Sequence, residues 1–233
     1  MKLYYDLHIH SALSPCADNS MTPNNIINMA YIKGLDIISV TDHNSYFNVE
    51  TIMKLGEFRN ILVIPGIEVT TAEDIHLLCY FHNVKALKNF GEKIYENLPN
   101  IKNKENIFGN QLVLDKEDNK INEIDKLLIN ASKFKIDDVY HMVMEERGVI
   151  IPAHIDKKSY SILSVLGFIP EKYDIKFVEI SNKLYNRELI KNYRVIYNSD
   201  AHYLQDINEP INEIDIKNKT IDKVLEYFKV EEK

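Results

Sequence analysis

Cysteine is nearly absent from this chain: Cys16 and Cys79 are the two in 233 residues. Neither stands in a CxxC arrangement, and the one disulfide that two cysteines allow would do little for a chain this long, so the pair reads as two reduced thiols. Apolar runs long enough to cross a bilayer are missing, and Met1–Asp6 lacks the apolar segment of a signal peptide. The expectation is a cytoplasmic protein with no membrane partner. Positive charge is in deficit, with 28 Lys and Arg against 35 Asp and Glu and a formal net charge of -7 at pH 7. That balance argues against a surface that coats DNA or RNA. Glycine is scarce while Asn, Lys and Ile are abundant, a bias that reads as gene composition and carries no functional meaning.

What is present is a length that buries a full core, and strand-like runs alternating with helix-like stretches from end to end. The pattern predicts one α/β domain over residues 1–233, built as a barrel. Lys2–Leu7 reads as a first strand. Thr22 is a good helix N-cap, Pro23 suits the first helical position, and Gly34 ends the helix. Leu35–Val40 is a continuous apolar strand. Further strands are predicted at Ile61–Ile64, Ile67–Thr71, Ile75–Phe81, Val149–Ile151, Lys176–Ile180 and Val195–Tyr197. Helices are predicted at Asn48–Arg59, Lys85–Asn97, Ile124–Lys133, Ile136–Arg147, Tyr160–Leu166, Leu184–Asn192 and Thr220–Phe228. Residues 99–123 are irregular and read as a small rim insertion, with Gln111–Leu114 pairing with Lys120-Ile121 as a charged hairpin.

The chemistry sits where strands hand over to loops. His8 and His10 follow the first strand with i, i+2 spacing, which puts both imidazoles on one face. Asp42 and His43 follow the second strand, and Glu68 lies in or just after the third. His76 opens the next strand, His154 follows Val149–Ile151, and Asp200 and His202 follow Val195–Tyr197. Six of the eight histidines fall at such places, leaving His82 and His141 aside. One strand-end histidine is ordinarily a hydrogen-bonded core or surface residue. The whole set, with carboxylates able to bridge cations, points to a multi-metal site, because imidazoles and carboxylates buried together without metal carry large desolvation costs. A nitrogen and oxygen donor set suits Mn, Zn or Fe. A carboxylate such as Glu68 can hold two cations ~3.5–4 Å apart, the spacing of two-metal hydrolases.

These motifs resemble the PHP (polymerase and histidinol phosphatase) superfamily, from Asp6-Leu7-His8-Ile9-His10-Ser11 through Thr41-Asp42-His43-Asn44 and Gly66-Ile67-Glu68-Val69 to Ser199-Asp200-Ala201-His202. The resemblance implies a distorted (β/α)7 barrel with two to three divalent metal ions. Carried over by motif, His8, His10, Glu68 and Asp200 hold one ion. Glu68, His76 and His154 hold a second, and Asp18, His43 and His202 a third. The family pattern has an acidic residue directly after the Ser that follows the HxH pair, whereas here Ser14 is followed by Pro15, Cys16 and Ala17. Counting back from Pro23 puts Asp18 in the acidic position, and Cys16 stands as the rival donor. The implied activity is hydrolysis of a phosphoric ester by a metal-activated hydroxide, with Glu68, Asp200 and His202 as catalytic residues. The expected partner is a small phosphorylated molecule, either a phosphate monoester or a nucleotide such as a nucleoside 3′,5′-bisphosphate or short oligonucleotide, and no long nucleic acid.

Three further residues are candidates for gripping substrate: Lys157 as a point charge after the His154 loop, Arg187 beyond the strand of Glu179, and Asn44 after the Asp42-His43 pair. Asp42 reads as a residue that orients His43 or its loop. The alternatives are a histidinol-phosphate-type phosphatase, a carbonyl-directed metallohydrolase, which would ordinarily carry a metal-bridging Lys that is not seen before His154, and a non-catalytic metal-binding regulatory domain.

Overall fold

The chain enters through strand β1 (Lys2–Ile9), exposed on alternate residues at its start and buried throughout its second half. The computed structural model describes residues 1–182, 185 and 187–229. Helix α1 (Pro23–Ile32) follows, with the Thr22 hydroxyl accepting from Asn25 N and Gly34 leaving the helix at φ +71°. Then come β2 (Ile37–Val40), α2 (Val49–Phe58), β3 (Leu62–Val63), β4 (Gly66–Thr70), β5 (His76–Tyr80) and α3 (Val84–Glu96). A short helix α4 (Glu105–Phe108) and the strands β6 (Leu112–Leu114) and β7 (Lys120–Glu123) precede α5 (Ile136–Glu145), β8 (Val149–Pro152), α6 (Ile162–Leu166) and β9 (Phe177–Glu179). The chain then makes a 3-10 turn (Arg187–Ile190), β10 (Arg194–Ile196), a second 3-10 turn (Leu204–Asp206), β11 (Glu213–Asp215) and α7 (Ile221–Lys229). Of the helix expected at Leu184–Asn192, Leu184 and Asn186 lie outside the described residues and Arg187–Ile190 is a 3-10 turn. No helix is long and apolar enough to cross a membrane among the described residues.

The strands form an α/β arrangement of mixed sheets, with no closed barrel among the described residues. One sheet runs β11-β1-β2-β3, with β1, β2 and β3 parallel and β11 antiparallel to β1. A second runs β4-β5-β8, antiparallel throughout, and β9 pairs in parallel with β10. The antiparallel return of β5 has a local cause. The turn after β4 is closed by Thr71 N to Ile75 O at 2.9 Å with Asp74 at φ +61°, and so short a link cannot carry a parallel crossover. Isolated bridges then join the sheets: His43 to Glu68 and Ile9 to Ala201. Ile155 N bonds Glu179 O at 2.9 Å, tying the end of β8 to β9. The carboxyl ends of β1, β2, β4, β8, β9 and β10 therefore meet along one edge, and the reversal of β5 brings its first residue, His76, to that same edge opposite Thr70.

The charged hairpin expected in residues 99–123 forms as β6 and β7. The helix predicted at Ile124–Lys133 does not form. Gln111, fully buried, holds that stretch extended: its amide Nε2 donates to Ile124 O at 2.5 Å and Lys126 O at 2.9 Å, while Oε1 accepts from Leu128 N at 2.8 Å. Ile124 and Leu128 then pack against Leu13, Leu98 and Val113, a burial that outweighs helix propensity. Replacing Gln111 by Leu would orphan three backbone groups. A loss of roughly 2–4 kcal/mol in urea-unfolding stability is expected, and an unchanged midpoint would refute the role.

Candidate metal centre

His8 and His10 flank the apolar Ile9 on β1, so both rings leave the same face and both are fully buried. Their Nε2 atoms lie 3.2 Å apart. Glu68, on β4, sits between the two rings, with Oε1 3.3 Å from His8 Nε2 and Oε2 3.4 Å from His10 Nε2. Asp200 Oδ1 comes within 3.3 Å of His8 Nε2 and 3.2 Å of His10 Nε2. On the other side, Glu68 Oε1 faces His76 Nδ1 at 2.9 Å and His154 Nε2 at 3.3 Å, and Oε2 faces His43 Nδ1 at 2.9 Å. Neither Glu68 oxygen, nor Nδ1 of His43 or His76, makes a hydrogen bond of acceptable geometry. Three donor groups each converge within 4.8 Å: His8, His10 and Asp200; His43, Glu68 and His76; and His10, His43 and His202. Buried polar atoms that face one another without hydrogen bonds are what metal ligands look like when the ion is not drawn.

The rings are aimed by their outer nitrogens. Ser14 Oγ donates to Asp42 Oδ1 at 2.7 Å, so its proton is committed and it accepts from His10 Nδ1 at 3.0 Å. This fixes the His10 tautomer and leaves Nε2 a bare lone pair pointing inward. His202 Nδ1 donates to the Asp200 carbonyl at 2.8 Å, which frees Nε2 in the same way. His8 Nδ1 lies 3.1 Å from both oxygens of Glu179. Asp42 also accepts from Ser11 N and Ser11 Oγ at 2.7 and 2.6 Å, so it orients His10 and the first loop and reaches no ligand position.

Charge follows from this packing. Burial opposes ionisation of Glu68, but the imidazoles of His76, His8 and His43 outweigh it and hold the carboxyl well below its usual range. Burial likewise disfavours a charged His8, yet Glu179, Asp200 and Glu68 lift it well above the ordinary imidazole value. His10 is pushed well below by burial and then by His43 and His202. Burial resists a thiolate at Cys16, but hydrogen bonds with His202 and His43 draw it down to about 6. His154, Tyr160 and Asp200 carry positive φ angles of 29°, 57° and 52°, local strain concentrated at the cleft.

The candidate residues are placed as follows. His8, His10, His43, Glu68, His76, His154, Asp200 and His202 come together. Asp18 does not join them: its carboxylate is exposed and accepts from Ser20 N at 2.8 Å. Lys157 lines the cleft with Ser159 and Tyr160, its Nζ 2.5 Å from Asp200 Oδ2. Asn44 is corrected as a substrate ligand. It is fully buried, its Nδ2 donates to Leu128 O and Asn130 O at 2.7 and 3.0 Å, and its Oδ1 accepts from Thr70 N at 2.9 Å. The Arg187 side chain lies outside what is described.

One functional residue escaped the sequence reading. Glu179 bonds His8, His154 N at 2.8 Å and Asn198 Nδ2 at 2.7 Å. A single acid inside the apolar run Val178-Glu179-Ile180 was its signal, since a lone carboxylate in a buried strand needs partners. Glu179→Gln is expected to weaken metal binding about 10–100-fold by releasing the His8 ring, as read by competitive chelator titration. Unchanged affinity would rule out that positioning role.

Comparison with known proteins gives the following. The lesion-specific endonuclease Q of Pyrococcus furiosus superposes with a TM-score of 0.70 at 19% identity over 98% of this chain and 56% of that one. Endonuclease Q bound to a 27-mer duplex with an abasic lesion at the active site gives 0.67 at 18% identity, over 98% and 57%. A two-domain protein of Bacteroides vulgatus containing a predicted PHP-like metal-dependent phosphoesterase gives 0.59 at 17%, over 98% and 63%. In sequence, a 5′-3′ exoribonuclease of Haemophilus influenzae is 28% identical over 67 residues, 29% of this chain and 23% of that protein. The chain thus spans little more than half of endonuclease Q and under a quarter of the exoribonuclease. Against the expectation that no long nucleic acid is a partner stands endonuclease Q, which shares the fold of this chain over 98% of its length and whose complex holds a 27-mer duplex substrate with an abasic lesion at the active site. Net charge is a weak guide to such a partner, because it sums the whole surface, whereas cations at a site would set the local field. The sequence model of the PHP domain matches residues 6–230, and the chain belongs to the PHP-domain family.

Proposed function

We propose that the protein is a metal-dependent hydrolase of phosphoric esters that acts on nucleic-acid phosphodiesters, short oligonucleotides included. One observation carries the reading: a fully buried carboxylate, Glu68, with both oxygens lacking hydrogen bonds and within 3.4 Å of ring nitrogens from five histidines. No arrangement of protons satisfies that cluster as well as cations do. His8, His10, Glu68 and Asp200 would hold one ion, Glu68, His76 and His154 a second, and His43 and His202 take part in a third. The donors suit Mn, Zn or Fe. Bound cations supply an activated water for attack on phosphorus and neutralise the phosphoryl oxygens.

The chain's own residues do the rest. Lys157, held charged against burial by Asp200, offers a cation to a phosphoryl oxygen at the cleft mouth. His202, the most exposed of the six imidazoles, lines the cleft beside Lys157 and is available to pass a proton to a leaving oxygen. Tyr160 stacks on His76 at a ring separation of 4.6 Å and stays 47% exposed, a surface on which a nucleobase can lie. The endonuclease Q likeness supports a nucleic-acid substrate. The meeting of six strand ends is consistent with a distorted (β/α)7 barrel, in one PHP domain over 1–233 with 99–123 as a rim insertion. Two free thiols are compatible with a cytoplasmic setting.

The test is to incubate Mn- or Zn-loaded protein with end-labelled single strands, duplexes with and without an abasic site, and p-nitrophenyl phosphate. Strand cleavage that chelator abolishes is the expected result. Release of phosphate from monoesters alone would make it a histidinol-phosphate-type phosphatase. Full metal loading without cleavage of any ester would make it a regulatory domain.

A further inference from the structure

We propose that the β6-β7 hairpin supports the cation site at His10, and that Asn48 is the positioning residue through which it acts, by way of Ser11, Asp42 and Ser14. The inference rests on the metal-centre reading above and adds to it a support that no ligand motif contains.

Asn48 stands at the N-cap of α2, where an asparagine amide ordinarily accepts from the first turn of its own helix. It makes no such bond. Fully buried, it spends its amide elsewhere. Nδ2 donates to Leu112 O and to Ser11 Oγ, each at 3.0 Å, and Oδ1 accepts from Leu114 N at 2.9 Å. Turning the amide over would set its oxygen against the Leu112 carbonyl and its NH2 against the Leu114 N–H. The two strand residues therefore fix which end of the amide faces Ser11. The hairpin also holds the first loop at both ends. Leu112 N donates to Ala12 O at 2.8 Å, and the Asp118 carboxylate accepts from Thr22 Oγ1 at 2.7 Å and Asn24 N at 3.1 Å.

From Ser11 the hydrogen bonds run in one direction to the centre. Ser11 Oγ accepts from Asn48 Nδ2 at 3.0 Å and from Leu13 N at 3.2 Å, so its one proton goes to Asp42 Oδ2 at 2.6 Å. Asp42 Oδ1 accepts from Ser14 Oγ at 2.7 Å. Ser14 Oγ in turn accepts from His10 Nδ1 at 3.0 Å and from His43 N at 3.2 Å. Ser11, Ser14 and Asp42 are all fully buried, so bulk water does not replace a lost partner. Without Asn48 the Ser11 hydroxyl loses a donor that sets its rotamer. Asp42 then loses the fixed partner at Oδ2 that keeps Oδ1 aimed at Ser14. The His10 ring is left free to tilt its Nε2 away from Asp200 and Glu68, the carboxylates it faces at 3.2 and 3.4 Å.

The test titrates Zn into metal-free protein against a competing chelator and sets the affinity beside urea-unfolding stability. Asn48→Leu is expected to weaken Zn binding about tenfold as well as to cost stability. Gln111→Leu costs stability in the same region but leaves every bond of Asn48 in place, so its Zn affinity is expected to match the wild type. Ser11→Ala keeps the bonds of Asn48 to Leu112 and Leu114 and is expected to lose affinity about tenfold by itself. Adding Asn48→Leu to it should cost less than about twofold more, because the link is already cut. In the wild-type chain, Zn is expected to slow amide exchange over residues 112–114 at least about tenfold, because coupling is reciprocal. If Asn48→Leu does not fold, Ser11→Ala and the exchange measurement decide the matter. Wild-type affinity in Asn48→Leu or Ser11→Ala, an equal loss in Gln111→Leu, losses that add in the double variant, or exchange untouched by Zn overturns this inference and leaves the metal centre standing. A chain that binds no Zn overturns both.

Discussion

Glu68→Gln is expected to lower kcat/KM for ester hydrolysis about a thousandfold, roughly 4 kcal/mol of transition-state stabilisation, and to reduce the metal content. Glu68 faces both halves of the centre. Its Oε1 looks toward His8, His76 and His154 and its Oε2 toward His10 and His43. An amide of the same shape has one oxygen and no charge. Its NH2 group would point hydrogens at ring nitrogens that are meant to face cations, satisfying them as hydrogen-bond acceptors and closing one shared position. The change is isosteric, so far-ultraviolet circular dichroism should be preserved. Metal analysis by mass spectrometry and a phosphodiester assay read the result together. Wild-type metal content with a wild-type rate would show that Glu68 is not the bridging residue.

Stripping the metals is expected to lower Tm by roughly 8–16 °C. Ions held at about a thousandfold above their dissociation constant stabilise by about 4 kcal/mol, and a chain of this size shifts roughly 2–4 °C per kcal/mol. The gap should also depend on pH. In the metal-free protein His8 and His43 have raised imidazole values: burial opposes the charged form, but Glu179, Asp200 and Glu68 around His8, and Glu68 and Cys16 around His43, outweigh it. Groups raised on folding stabilise fully below the unfolded value near 6.5 and lose that contribution as pH rises through the folded value. The contribution of His8 and His43 to the metal-free protein therefore fades from neutral into alkaline conditions, while Cys16, drawn down to about 6, adds stability over the same interval. Metal binding needs neutral imidazoles and strengthens over the same interval. Calorimetry with and without chelator should thus show the difference in Tm widening as pH rises. A difference that narrows would mean that the cluster does not load by losing protons.

The donors themselves were legible along the chain because strand geometry is local. A two-residue spacing on an apolar strand puts His8 and His10 on one face whatever surrounds it, and a polar group closing an apolar run marks a strand end. The helix α1 was equally plain from Thr22, Pro23 and Gly34. Other features were decided by partners far away in sequence. Ile124–Lys133 has helical spacing, yet the amide of Gln111 claims its backbone. Asn44 follows a ligand motif, yet its amide serves Leu128, Asn130 and Thr70. Glu179 gave one weak sign, an acid among apolar neighbours, and its meaning depended on His8 lying across the sheet edge.

By itself the sequence determined which side chains this protein has for binding cations and at which strand ends they emerge, since a two-residue period and turn chemistry act over a few bonds. Tertiary structure decided which of those donors converge. It reversed β5 so that His76 returns to the edge its neighbours leave from, and it turned the Asp18 carboxylate away from the cluster onto Ser20 N. Those choices depend on hydrogen bonds and packing between residues separated by up to most of the chain, and no local pattern encodes them.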